Sequence, residues 1–438
     1  MDSKIDSRLS DTVGRAYGRK PGVSDPVLTQ VGPGTPGGEL LRRYWQPIAL
    51  SSEATTVPKQ IRRFGEDLVL FRNQKGEAGL LAARCIHRGT TLFYGKVEED
   101  GIRCCYHGWK FSPQGEVLDQ PCEPDGGRNR HKLRQPWYPV VEQFGALWTY
   151  MGPPDRQPLF PIYSCFEDLA EDETVMALAG AEAPELVGPG VMEHNWYQAF
   201  DNATDHYHLP ILHDRISGPQ LSSSKFGPEL PEIEWTVSPT GYSILTTARR
   251  DLGNGEVYVR IEQMLMPNII GIPSVLTEDP NENGLLFWIP IDDTRTMVVA
   301  FSRFNTDPDS NPMGKVFSGQ KLASSAPDVD SAETKILGFG PKKKVWGEMT
   351  PAEHQLYPGD YEAQLGQGTI TFHSEEHLAT SDTGLVKHRR LWKQQAKIVA
   401  DGGDPVGVAF KEEDRRILVE STAWVEKIGE SLAESVLA

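Results

Sequence analysis

Two stretches of this sequence carry residues that can hold metal. Cys85-Ile86-His87 is followed by Cys104-Cys105-Tyr106-His107, so two short loops each offer one thiolate and one imidazole. Such a set has two chemical readings. Tetrahedral zinc accepts two Cys and two His, whereas a mixed-ligand [2Fe–2S] centre takes two thiolates on one iron and two imidazoles on the other. Zinc fingers usually group like ligands, Cys-x-x-Cys and then His-x-x-x-His; here each loop mixes types, as needed when both loops reach across two irons. Buried cysteines and core histidines would account for any one of these residues alone, but not for four in this register. Cys105, Cys122 and Cys165 read as packing residues.

The second stretch runs Asn202-Ala203-Thr204-Asp205-His206-Tyr207-His208-Leu209-Pro210-Ile211-Leu212-His213. On a regular helix the step from His208 to His213 leaves the rings about 140° apart, at roughly 100° per residue. Pro210 removes a backbone donor and is expected to disrupt the turn, letting His213 swing back toward His208. Two imidazoles and one carboxylate, with open positions, make the facial triad of non-haem Fe(II) sites. The carboxylate must come from elsewhere, and local sequence does not choose it. His206 is expected to point away.

Cys-Ile-His-Arg-Gly-Thr and Cys-Cys-Tyr-His-Gly-Trp-Lys-Phe closely resemble the paired cluster loops of Rieske proteins, in which glycines after the histidines permit tight turning. From about Leu28 onward the chain resembles the Rieske non-haem iron oxygenases of the phthalate dioxygenase type. In its last third the resemblance rests on Asp360, Ile370, Glu376-His377-Leu378, Ser381-Asp382 and Arg389-Arg390. It implies a [2Fe–2S] Rieske cluster on Cys85, His87, Cys104 and His107, and Fe(2+) on His208, His213 and Asp360, with Glu362 and Asp382 as rivals for the third place. Asp205 matches the family's bridging Asp, between His208 of its own subunit and His107 of the next. Asn202 would lie close to the iron. Asp201, where Glu is common, and Pro358-Gly359 before Asp360 depart from the pattern.

The resemblance further implies the oxygenase component of a multicomponent system in a ring of three identical subunits, or a dimer of such trimers. A separate NAD(P)H-dependent flavin and iron–sulfur reductase would feed it electrons, and it would use dioxygen to hydroxylate a small aromatic, carboxylated substrate. Arg215, Arg249, Arg250 and Arg260 are candidate carboxylate partners. An O-demethylating monooxygenase shares the same ligands. A Rieske electron carrier without oxygenase activity is the alternative from another class, and a structural zinc protein is a third.

The elements that must position these residues suit a soluble multidomain chain. Its 438 residues are 38% hydrophobic, and 44 Lys and Arg against 61 Asp and Glu give a net charge of −17, which repels nucleic acid. No run approaches the ~20 apolar residues of a membrane span, and the first residues lack the apolar core of a signal peptide, so the cytoplasm is expected. Residues 1–25 read as a flexible arm. Residues 26–155 read as an all-β domain, from runs such as YWQPIAL, IRRFGEDLVLFR and YPVVEQFGALWTYMG, which the resemblance implies is a Rieske [2Fe–2S] domain with a flanking segment. Residues 156–438 read as an α+β domain, its antiparallel sheet predicted from YSILTTARR, EVYVRIEQMLM, LLFWIPI and TMVVAFSRF, and the resemblance implies that it is a catalytic mononuclear iron domain of helix-grip type. Residues 305–345 read as loop. Ile417, Leu418, Trp424, Val425 and Ile428 are spaced as one face of a final helix. No Gly-x-Gly-x-x-Gly follows a strand, so no nicotinamide or flavin fold is expected.

Overall fold

The computed structural model describes residues 20–179, 188–218, 220, 229–273, 283–305, 344 and 346–428. Most of the expected arm and nearly all of the expected 305–345 loop lie outside them. Val23, Ser24 and Asp25, at the end of that arm, are hydrogen-bonded to Ser374, Thr371 and His373.

The first half consists of small antiparallel sheets. β1 (Trp45–Leu50) pairs with β11 (Ala146–Tyr150), which also takes β10 (Val140–Gln143). A second sheet orders β2 (Lys59–Arg63), β3 (Glu66–Arg72), β4 (Ala78–Ala82) and β9 (Trp137–Tyr138). The third comprises β5 (Lys96–Val97), β6 (Ile102–Arg103), β7 (Lys110–Phe111) and β8 (Val117–Asp119). The β2–β3 hairpin turns at Phe64 and Gly65, with φ of 49° and 79°. Two positive φ values suit the twist of a tight hairpin but are costly for Phe. Phe64 is held there by burial and by the second half of the chain: its N–H donates to Pro290 O (2.9 Å) and that of Gly65 to Ile291 O (3.0 Å).

The second half is dominated by one antiparallel sheet. Its order is β13 (Glu173–Ala179), β19 (Arg295–Asn305), β18 (Asn283–Asp292), β17 (Ile269–Pro273), β16 (Glu256–Leu265), β15 (Ser243–Asp251), β14 (Glu232–Val237). The expected final helix is not formed. β20 (Arg416–Ile417) pairs in parallel with β12 (Ile162–Tyr163), and β21 (Thr422–Lys427) pairs with β16. β17 covers β16 only at residues 263–265, so the edge at 256–261 is open to β21, whose Thr, Trp and Val suit a strand. An open ladder outweighs an apolar spacing that fitted either period.

Helices Pro26–Thr29 and Pro36–Arg42 pack on a long helix, Thr383–Ala400, which the sequence did not announce. Its buried face is Gly384, His388, Trp392, Gln395 and Ala396. Among the described residues no helix is long and apolar enough to cross a membrane. One hydrophobic core takes side chains from both halves, with Trp148 stacked on Phe301 and edge-on to Phe287. A second, smaller core belongs to the first half alone and includes Val69, Phe71, Leu81, Cys85, Cys104 and Trp109.

Candidate metal centres

The two loops at the edge of that smaller core are closed by the same pair of backbone bonds. Cys85 N donates to Thr90 O (2.9 Å) and Gly89 N to Cys85 O (2.8 Å); Cys104 N donates to Trp109 O (2.8 Å) and Gly108 N to Cys104 O (3.1 Å). Both turns need a left-handed residue. Gly89 and Gly108 have φ of 78° and 74°, and a Cβ on Gly108 would lie 2.7 Å from Pro121 Cγ. The thiols are buried, while the rings stand at the edge: His87 and His107 are edge-to-face at 4.6 Å, and His87 stacks on Trp109. Burial, with the adjoining Cys104 thiol adding to it, pushes the Cys85 thiol up to about 11, against the backbone N–H groups of His87 and Arg88. A metal that takes the thiolate charge reverses that penalty. Two buried thiols and two adjoining imidazoles fit a [2Fe–2S] centre.

The surroundings fix the loops from behind. The wholly buried Gln135 accepts from Ile86 N (2.9 Å) and donates to Ala82 O (2.8 Å) and Arg84 O (2.9 Å). Arg103 donates to Gly108 O (2.7 Å), Asp119 (2.8 Å) and Glu98 (2.6 Å).

The second centre is built on helix Trp196–Asp201, a tight turn Asn202–Thr204, and a helical turn His208–Pro210. Pro210 does not break the chain's course, contrary to expectation: it keeps helical φ and ψ of −71° and −20°, and the helix widens into a π-turn over Ile211–Ile216. Ser217 N reaches back five residues to Leu212 O (3.2 Å). The register thus changes between His208 and His213. The two rings lie 5.4 Å apart.

Asp360, at the start of helix Asp360–Gly366, completes the group: its Oδ1 is 3.5 Å from His208 Nε2 and 3.3 Å from His213 Nε2. All three donors lie within 4.8 Å of one another. Burial opposes the charge on Asp360, but His213, His208 and the Asn202 amide outweigh it and hold the carboxyl well below the usual carboxylate range. Asn202 Nδ2 donates to Asp360 Oδ1 (3.2 Å) and lies 3.4 Å from His208 Nε2. Two imidazoles and one carboxylate, partly open to solvent, fit Fe(2+) with free positions.

Known proteins resemble this chain along most of its length. The Rieske [2Fe-2S] domain model matches residues 44–142. The chain is 43% identical to phenoxybenzoate dioxygenase subunit alpha of Ectopseudomonas oleovorans, over 93% of each chain. The Rieske non-haem iron oxygenases are its family. A second member, the tert-butanol monooxygenase / tert-amyl alcohol desaturase oxygenase subunit of Aquincola tertiaricarbonis, is 34% identical over 89% of this chain and 80% of that one. The oxygenase in the reduced oxygenase–ferredoxin complex of carbazole 1,9a-dioxygenase shares the fold, with a TM-score of 0.56 at 17% identity over 91% of this chain and 98% of that one. This Rieske oxygenase is therefore an oxygenase component carrying a Rieske cluster and Fe(2+). The electron-carrier and zinc readings are set aside.

Other expectations fare differently in the oxygenase. Cys105 and Cys122 are exposed rather than packed, because their loops present them outward; Cys165 is partly buried. The rival carboxylates are engaged elsewhere. Glu362 accepts from Gly359 N (2.9 Å) and Trp346 Nε1 (2.7 Å), and Asp382 accepts from Ala379 N (2.6 Å). His206 turns to the sheet, with Nε2 3.2 Å from Glu262 Oε2. Among the arginines, Arg249 pairs with Glu426, Arg260 is buried against Glu262 (2.8 Å) and Pro273 O (3.0 Å), Arg250 is buried, and Arg215 is exposed. Arg389 joins Asp201 (2.6 Å) to Glu376 (2.9 Å), tying the long helix to the end of the helix before Asn202. Sequence reasoning missed that brace, although both ends stood inside the family motifs.

Proposed function

We propose that this oxygenase hydroxylates a small carboxylated aromatic ring, with Cys85, His87, Cys104 and His107 on the cluster and His208, His213 and Asp360 on the iron. The reading of the substrate rests on the 43% identity to a relative named for phenoxybenzoate. When bound, the cluster passes on single electrons and the iron activates dioxygen. Dioxygen, two electrons and two protons then balance one cis-diol. The electrons come from a separate NAD(P)H-dependent reductase, and the working unit is a homotrimer. The test is product analysis with a panel of phenoxybenzoate, phthalate and methoxybenzoate against uncharged analogues and tertiary alcohols. Hydroxylated acids support the reading; turnover confined to the alcohols overturns it.

Asp205 is inferred to link the centres between subunits. Its Oδ1 accepts from Tyr207 N (2.7 Å) and His208 N (3.3 Å), and Oδ2 lies 3.6 Å from His208 Nδ1. The side chain is 44% exposed, so the carboxylate has an edge free for a neighbouring subunit's His107. Asp205→Ala should keep both metals but slow cluster reoxidation, in the presence of substrate and dioxygen, by about 100-fold. Normal stopped-flow reoxidation rules the link out.

A further inference from the structure

We propose that Gln220 is a positioning residue that couples two of the three iron ligands, selecting the tautomer of His213 at one end of its amide and anchoring Pro358, two residues before Asp360, at the other. The inference rests on the iron assignment above and concerns how that site is preorganised.

The argument begins at Pro358. Its carbonyl can only accept, and it takes bonds from Ser217 Oγ (2.7 Å) and Gln220 Nε2 (3.1 Å). A carbonyl facing the amide therefore decides which end of Gln220 is nitrogen. With Nε2 committed to Pro358, Oε1 is the end that meets His213 Nδ1, at 2.6 Å. An amide oxygen cannot donate, so Nδ1 must carry the proton. The lone pair of the neutral ring is then left on Nε2, the atom that lies 3.3 Å from Asp360 Oδ1. A backbone carbonyl two residues before one ligand thus dictates the tautomer of another.

The connection is short and buried. Gln220 N donates to His213 O (2.9 Å), closing the π-turn and Ser217 into a loop whose end returns to its start. Gln220 is 3% exposed, Ser217 is fully buried and His213 is 8% exposed, so water does not compete for these bonds. On the far side, Gly359 N donates to Glu362 Oε2 (2.9 Å), which leaves Pro358-Gly359 held from both flanks just before Asp360. His208 is supported differently, by the half-exposed carboxylate of Asp205 at 3.6 Å. The neutral amide makes the tighter contact, and it is the one that reaches a second ligand.

The test uses full-length protein stripped of mononuclear iron by a chelator, with the cluster followed by its visible absorption. Fe(2+) rebinding is titrated. Gln220→Leu, similar in size but without polar atoms, should weaken Fe(2+) binding by about 10–100-fold while cluster absorbance stays at its wild-type value. Gln220→Glu keeps an acceptor for His213 Nδ1–H but loses the donor to Pro358 O, so its Fe(2+) affinity should lie between those of Gln220→Leu and the wild type. Wild-type affinity in Gln220→Leu, or equal loss in both variants, overturns the proposal. Should Gln220→Leu fail to fold, Gln220→Glu alone decides, because wild-type affinity there contradicts the anchoring of Pro358. His208→Ala distinguishes the two levels. If it loses Fe(2+) while Gln220→Leu does not, only the role of Gln220 fails; if it binds like wild type, the iron assignment fails and takes this inference with it.

Discussion

Between Cys85 and Thr90, and again between Cys104 and Trp109, one pair of backbone bonds closes each loop, whereas His208, His213 and Asp360 are brought together across the fold with help from the amides of Asn202 and Gln220, the latter reaching Pro358. The proposed cluster ligands span 23 residues of chain, from Cys85 to His107; the proposed iron ligands reach from His208 to Asp360. A loop that bonds to itself has its geometry written in its own residues, glycine at the left-handed position above all. A site joined by side chains depends on where distant elements come to rest.

The sharpest test of that contrast removes one ligand from each centre. Cys104→Ala should abolish the cluster and all NADH-driven turnover, because a two-iron unit does not survive on three ligands, while exposed Cys105→Ala keeps it. His213→Ala should lose the single mononuclear iron and leave the cluster's visible and EPR spectra intact. Cluster loss in His213→Ala would show that the centres are not built independently. Retention in Cys104→Ala would place the ligand one residue away.

Gln135 is where the cluster loop borrows the other strategy. It is a buried amide serving Ile86 N, Ala82 O and Arg84 O from fifty residues away. Gln135→Leu leaves those backbone groups unpaired in the interior and should cost about 2–4 kcal/mol of folding stability, seen as a lower urea midpoint. The expected contrast with Gln220→Leu lies in metal affinity: Gln135→Leu lowers stability with Fe(2+) affinity unchanged, whereas Gln220→Leu lowers Fe(2+) affinity. Loss of metal affinity without destabilisation in Gln135→Leu would erase the distinction between the sites.

The same contrast explains what could be read from the sequence. The cluster loops carry ligand types, spacing and turn glycines together, and the paired strands β15–β16 and β18–β19 follow from β-branched runs around Gly253-Asn254-Gly255 and Asp293-Thr294. His208 and His213 were visible as a pair, but the means of aligning them was not, since a π-turn has no sequence signature comparable to a proline. Asp360 was reachable only through family resemblance. Gln220 had no signal at all, because its role exists only once Pro358 has arrived beside it. Helix Thr383–Ala400 escaped notice because His388 and Gln395 occupy places in its buried face where aliphatic residues would reveal the period. Strand β21 was misread because its partner edge is set by how short β17 is.

The smallest expected effect lies at the back of the second cluster loop. Glu98 pairs with Arg103, which also holds Gly108 O, and with Lys110 (3.0 Å). The hydrogen bond from Arg103 is the largest influence on it and, with Lys110, lowers its pKa from 4.5 to about 2. A carboxyl depressed in the fold stabilises fully above its unfolded value, and that contribution is lost as pH falls through the folded one. Glu98→Gln should therefore lower stability at pH 7 by no more than about 1 kcal/mol, as for other partly exposed pairs, and the gap from wild type should close between pH 4.5 and pH 2. Comparing the two proteins at each pH cancels acid damage common to both clusters. Arg103 keeps Asp119, and Lys110 keeps Asp100, so neither cation is stranded by the change. A gap that stays constant down to pH 3 would mean that Glu98 acts through packing and not through its charge. The second loop would then rest on its internal bonds and on Gly108 alone.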